Sequence, residues 1–192
     1  YHTLHVGLAG GASESCALVV APQACHEPTV LRDGGRLWGV AVQLYTLRSE
    51  QNWGIGDFAD LAAVVRTCAQ QGAAFIGLNP LHALFPGNPW QFSPYSPSSR
   101  HFLNVLYIAI ERVPEFEYCA EAQATVNAGE FQAELARLRA TPCVDYPGVA
   151  QAKLRVLKQL HAQFRHDSAL RPSARATQFH AYVAERGESL RR

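Results

Sequence analysis

The sequence predicts an α/β fold: the first strands and helices of an incomplete (β/α)8 barrel, preceded by the tail of a β-rich domain. Three observations point there. Two nearly continuous apolar runs, Trp38 to Leu44 and Ala74 to Leu81, have the pattern of parallel strands buried on both faces. A segment of helical period joins them with short connections, which makes a strand–helix–strand crossover. Before about residue 37 the pattern differs, with short β-rich stretches, turn chemistry and no helical period. The domain division expected from this is 1–36 for the end of the β-rich domain and its linker, and 37–192 for the first part of the barrel.

Taken in order, His2 to Leu8 and Cys16 to Ala21 read as two short strands around the turn Ala9-Gly10-Gly11-Ala12-Ser13. Pro22 and Pro28 bracket a linker running to Asp33-Gly34-Gly35. After the strand at 38–44 comes a polar loop, Thr46 to Gly56, and then a helix with Asp57 as N-cap and Asp60 near the positive end of its dipole. Phe58, Leu61, Ala62, Val65, Cys68 and Ala69 fall on one face of it, and Gly72 ends it. The run Phe102 to Ile110 predicts a further strand. Helices follow at Glu130 to Arg139, at about 147–164 with Val149, Ala152, Val156, Leu160 and Phe164 inward, and at about 177–185 with Phe179, Tyr182 and Val183 grouped. Asp145-Tyr146 before Pro147 marks where the second of these begins. An α/β barrel takes about 250 residues. The missing initiator methionine and the ending Glu188-Ser189-Leu190-Arg191-Arg192 fit a chain that opens a larger barrel and stops early.

Composition narrows the function classes. A formal charge of +1 gives no electrostatic case for nucleic acid or a membrane surface. No apolar run approaches the roughly 20 residues that span a bilayer. The five cysteines, Cys16, Cys25, Cys68, Cys119 and Cys143, are odd in number and lack close metal-ligand spacing, so reduced thiols in a cytoplasmic protein are expected. The eight histidines show no zinc-helix pairing. The pair Gly54 and Gly56 lacks the third glycine and the ribose acid of a dinucleotide loop.

Candidate binding residues lie after the strands, where α/β barrels meet their ligands. The stretch Ser93-Pro94-Tyr95-Ser96-Pro97-Ser98-Ser99-Arg100 sets one ring and several hydroxyls in a proline-stiffened frame. Pyranose C–H faces pack on aromatic rings while their hydroxyls exchange hydrogen bonds with serine, asparagine and arginine. Tyr95 therefore either meets a sugar or anchors the loop beneath its prolines, and Trp53 and Trp90 face the same choice, with Trp53 the better loop-packing residue. Asn79 and His82 sit at the end of the second strand, where Asn79 serves either a ligand or the backbone. Arg48 and Arg100 fit loop-stabilising contacts better than an anion site.

The segments Trp38 to Tyr45, Asn52-Trp53-Gly54-Ile55-Gly56-Asp57-Phe58, Gly77-Leu78-Asn79-Pro80-Leu81-His82 to Pro86 and Ser93 to Arg100 together closely resemble the amylomaltases, bacterial 4-α-glucanotransferases related to α-amylases. The likeness continues through Leu103-Asn104 to Tyr107 and Val144-Asp145-Tyr146. It implies a (β/α)8 barrel that cuts an α-1,4-glucan and passes the glycosyl unit to the 4-hydroxyl of another glucan or of glucose, with retention through two carboxyl groups. It implies that those carboxyl groups come from later barrel strands and that none of them is present here; no cofactor is implied. By motif, Tyr95 corresponds to the aromatic residue at the subsite of cleavage, with Ser93 a nearby hydroxyl, and Trp90 to an aromatic at a more distant glucan site. A tyrosine used at that distant site in some relatives falls at Ala150 here. The alternatives are a non-catalytic glucan-binding or structural module and a related α-glucan hydrolase.

Overall fold

A computed structural model describes residues 1–7, 10–170 and 173–191. Leu8 and Ala9 of the predicted first strand and turn, and the final Arg192, lie outside the described residues. The chain divides into two compact units, Tyr1–Leu37 and Trp38–Arg192.

In the first unit, β1 (His2–Gly7) pairs antiparallel with β2 (Ser13–Leu18) in the register His2 to Leu18 through Gly7 to Ser13. β2 starts three residues earlier than the apolar run, because the alternation Ser13 to Leu18 fits the ladder while Val19 and Val20 leave it. Gly10 and Gly11 take positive φ, the conformation that closes the turn. Every residue of both strands is exposed. The linker contains one helical turn, α1 (Thr29–Arg32), whose Arg32 guanidinium donates to the Glu27 carbonyl.

The second unit opens with the crossover expected from the apolar runs. β3 (Gly39–Val42) lies parallel to β4 (Phe75–Leu78), and α2 (Phe58–Gln70) joins them. Asp57 caps α2 reciprocally: its carboxylate accepts from Ala59 N at 2.9 Å, and Asp60 accepts from Asp57 N at 2.9 Å. Gly72, at φ 82°, ends the helical segment. Two expectations need correction. The strands are not buried on both faces: among the described residues β3 and β4 have only each other as partners, so Val40, Phe75 and Leu78 stay exposed. On α2, Val65 and Ala69 face outward, while Leu61, Ala62, Val64 and Cys68 are half-buried.

The run 102–110 is corrected too. Only its start is a strand: β6 (Ser99–Leu103) pairs antiparallel with the short β5 (His82–Ala83), in a separate two-stranded sheet. Asn104 then accepts from Leu106 N through its side chain and turns the chain into 3-10 helices at Val105–Tyr107 and Ile110–Arg112. An apolar run of this length cannot distinguish a buried strand from apolar turns packed on helices.

Helices form the rest. A 3-10 turn at Pro114–Glu117 leads into α3 (Ala120–Asn127), which has weak amphipathic character and lies outside the elements expected from the sequence. α4 (Gly129–Ala140) and α5 (Tyr146–Leu170) extend their predicted helices at both ends, and α6 (Ala174–Arg191), which is broken by a kink at Gly187, extends the third. Val149, Ala152, Val156 and Leu160 of α5 are buried as their spacing requires, and Phe164 is half-buried against Phe179. The core gathers Val149, Ala152, Val156 and Leu160 with Leu135 and Leu138 of α4, Ala122 and Val126 of α3, and Leu44, Trp53 and Ile55 of the loop after β3.

Candidate functional site

Whether the segments following β3 and β4 meet a ligand depends on which side chains they bury. The loop after β3 is a packed element. A 3-10 turn at Leu44–Thr46 begins it, and Asn52 through Asp57 are all buried. Trp53 is 1% exposed, sits edge-on to Phe131 at 5.3 Å, and donates its indole N–H to Glu111 at 2.9 Å. Gly54, at φ 84°, passes so close to α4 that a Cβ there would lie 2.7 Å from Leu138 Cβ. Arg48 donates to the Gly54 carbonyl at 2.7 Å, and Arg139 donates to the Asn52 carbonyl at 2.8 Å. Trp53 and Arg48 hold the loop together, and Trp53 presents no ring face to a ligand.

Asn79, directly after β4, is also committed internally. Its Oδ1 accepts from Leu44 N at 2.8 Å and its Nδ2 donates to the Pro80 carbonyl at 2.8 Å. The Tyr107 hydroxyl lies 3.5 Å from the same Nδ2, in a setting where burial raises the phenol's pKa above its ordinary value. Asn79 is 7% exposed and fastens the end of β4 to the start of the loop after β3. His82 is half-buried within β5, opposite Leu103.

The loop 84–98 between β5 and β6 has the opposite character at its tip. Its base is fixed: Ser98 N donates to the Ala83 carbonyl at 2.9 Å, and the Ser98 hydroxyl donates to the carbonyls of Ala83 and Leu84. Pro94 is buried, and a turn closes with Ser96 N donating to the Ser93 carbonyl at 3.1 Å. On this frame Tyr95 is 67% exposed and Trp90 is 74% exposed, and Ser93 is exposed beside them in sequence. Among the described residues the Tyr95 side chain makes no hydrogen bond. Tyr95 is not packed beneath the prolines in this structure: they brace the backbone and the ring stays in solvent.

Phe92 takes the anchoring role that sequence reasoning weighed for Tyr95. Its ring stacks on Tyr146 at 4.5 Å with planes 7° apart. Leu84, Phe92, Asn104, Tyr146, Ala150 and Leu154 line a small, partly open cleft. Burial raises the Tyr146 phenol above its ordinary pKa. Ala150 is 4% exposed at the wall of this cleft.

One buried charge escaped the sequence reading. Lys153 of α5 is 0% exposed and donates to the carbonyls of Leu106 at 2.8 Å and Ile108 at 2.7 Å, with the Asp57 carboxylate 3.4 Å away. Burial lowers its pKa, and Asp57 opposes that shift. The available signal was its place on the apolar face of α5, one residue after Ala152 and three before Val156. Among the described residues no cluster of three His, Cys, Asp or Glu side chains could hold a metal ion. Of the carboxylates beside the loop after β3, Asp57 and Asp60 serve the α2 cap and Glu111 accepts from the Trp53 indole N–H.

A family model described as 4-alpha-glucanotransferase matches residues 42–192. The chain is 43% identical over 173 residues to a 4-alpha-glucanotransferase of Haemophilus influenzae, covering 90% of this chain and 25% of that protein. It is 44% identical over 122 residues to one of Mycobacterium tuberculosis, covering 60% of this chain and 17% of that protein. The crystal structure of amylomaltase from Corynebacterium glutamicum is similar in fold, with a TM-score of 0.74 and 33% identity, over 98% of this chain and 26% of that one. The chain thus spans about a quarter of the length of the Haemophilus relative and of this structure.

Proposed function

Because the chain belongs to the 4-alpha-glucanotransferase family, we propose that it forms a glucan-facing wall of an enzyme of its relatives' length. That enzyme moves a segment of an α-1,4-glucan to the 4-hydroxyl of a second glucan or of glucose. The observation that carries this reading is the pair of solvent-facing rings, Trp90 and Tyr95, on a loop whose base is pinned by Ser98. An aromatic side chain left two-thirds in water at a fixed position gains on binding what it forgoes on folding.

In this reading β3 and β4 are the first strands of a (β/α)8 barrel, and residues 1–36 are the end of a β-rich domain. Parallel pairing, the α2 crossover and the open apolar faces of Val40, Phe75 and Leu78 support the barrel. The loop 84–98 then stands at the mouth, where ligands bind. Tyr95 packs beneath a pyranose at the cleavage subsite, Ser93 offers its hydroxyl, and Trp90 meets the glucan further along. Asn79 and His82 act at one remove, by holding the strand ends. Retention needs a carboxylate nucleophile and an acid/base partner on opposite sides of the scissile bond. Those two groups lie outside this chain, whose part is to orient the sugar. No cofactor takes part, and the enzyme works in the cytoplasm on maltooligosaccharides, apart from membranes and nucleic acids. No described helix is long and apolar enough to cross a membrane.

The test is product analysis with maltotriose as sole substrate for the full-length enzyme. A transferase yields maltooligosaccharides longer than the substrate together with glucose. Only shorter sugars would make it a hydrolase, and binding without turnover would make it a glucan-binding module.

A further inference from the structure

Resting on the reading above, we propose that Lys153 is the positioning residue that holds the strand-end segments of the glucan-facing wall in one register. An ammonium group has three donors, and here each has an oxygen acceptor, two from one backbone segment and one from a side chain elsewhere in the chain. Leu106 O and Ile108 O, at 2.8 and 2.7 Å, belong to the segment that leaves β6. Asp57 Oδ2, at 3.4 Å, belongs to the residue that ends the loop after β3 and caps α2. Asp57 divides its carboxylate between the two tasks, with Oδ1 accepting from Ala59 N and Oδ2 facing Lys153.

The residue between the two clamped carbonyls extends the linkage. Tyr107 packs edge-on to Phe58, the first residue of α2, at 6.0 Å, and its hydroxyl meets Asn79, which in turn accepts from Leu44 N. One side chain on α5 thereby joins the exits of β3, β4 and β6. The same clamped segment carries Asn104, whose backbone N–H donates to the Leu81 carbonyl, and it follows β6, the partner of β5 at the base of the Trp90–Tyr95 loop. A fully buried lysine is costly unless its charge is satisfied. Leucine or methionine would fill this space without that cost. What the ammonium adds is direction: it fixes two carbonyls and a cap relative to one another, which apolar packing cannot do.

The experiment compares Lys153→Met with the double variant Lys153→Met/Asp57→Asn in the full-length enzyme. Methionine preserves volume and removes the donors; asparagine keeps an oxygen for the α2 cap and removes the carboxylate left without its partner. Melting temperature, KM and kcat are measured for maltotriose well below each variant's melting point. The single variant is expected to melt lower and to show a KM raised by about tenfold, the signature of lost substrate binding with the chemical step intact. The double variant should recover most of the melting temperature while KM stays raised and kcat stays within about threefold of wild type. A double variant whose KM returns to within about twofold of wild type would overturn the proposal. One that does not fold would assign the ammonium a purely structural role and overturn it as well. A wild-type enzyme that makes no longer oligomers is a different failure, that of the transferase reading itself.

Discussion

Replacing Tyr95 by alanine separates binding from folding, because its ring is 67% exposed and makes no hydrogen bond among the described residues. Aromatic side chains bury roughly 150–250 Å² when fully covered, so about 130 Å² of Tyr95 remains open to a ligand. A pyranose face covering about half of that removes ~65 Å² from water, worth ~1.6 kcal/mol at ~25 cal/mol per Å². That corresponds to about a tenfold loss in kcat/KM. Folding loses little, since an exposed substitution of this kind stays within about 0.5 kcal/mol. The assay is transfer from maltotriose beside a thermal melt, both on the full-length enzyme. An unchanged kcat/KM, or a fall in activity matched by a fall of many degrees in melting temperature, would refute the reasoning.

Other outcomes follow from the same geometry. Trp90→Ala should leave the melting temperature within about 2 °C of wild type and weaken long maltooligosaccharides more than maltotriose; equal effects on all chain lengths would place Trp90 elsewhere. Gly54→Ala should destabilise by about 2–4 kcal/mol, from a positive φ of 84° and a Cβ 2.7 Å from Leu138, read by chemical denaturation. Asp145 is held below the usual carboxylate range by the Arg137 guanidinium and by the Gly148 N–H. Its lowered folded pKa gives stability present above the unfolded value near ~3.9 and lost as pH falls through the folded one. Asp145→Asn should therefore melt below wild type near neutral pH and match it in strong acid. The isolated 192-residue polypeptide should not turn over maltotriose, and measurable transfer by it would contradict the assignment of the reacting carboxyl groups to other segments.

The crossover was legible because its signals are local. Asp57 and Asp60 form a capping box within four residues, Gly72 supplies a positive φ, and two apolar runs flank them. Burial of those strands was not legible, since it depends on neighbours that β3 and β4 lack among the described residues. The run 102–110 misled for a related reason: Asn104 turns the chain with its own side chain, and apolar residues after it pack as 3-10 turns that no two-residue period describes. The candidate site was half readable. Proline and serine around Tyr95 announced a rigid loop, but which aromatic would anchor it and which would face solvent is decided by Tyr146, more than fifty residues away, stacking on Phe92. Lys153 was hidden because its acceptors are backbone carbonyls, and those carry no signature in the sequence.

The most direct measurement is a crystal structure of the full-length enzyme with a maltooligosaccharide bound. The account predicts a pyranose ring within about 4 Å of the Tyr95 ring, with the glucan continuing toward Trp90. A glucan bound elsewhere, with both rings still in solvent, would contradict it.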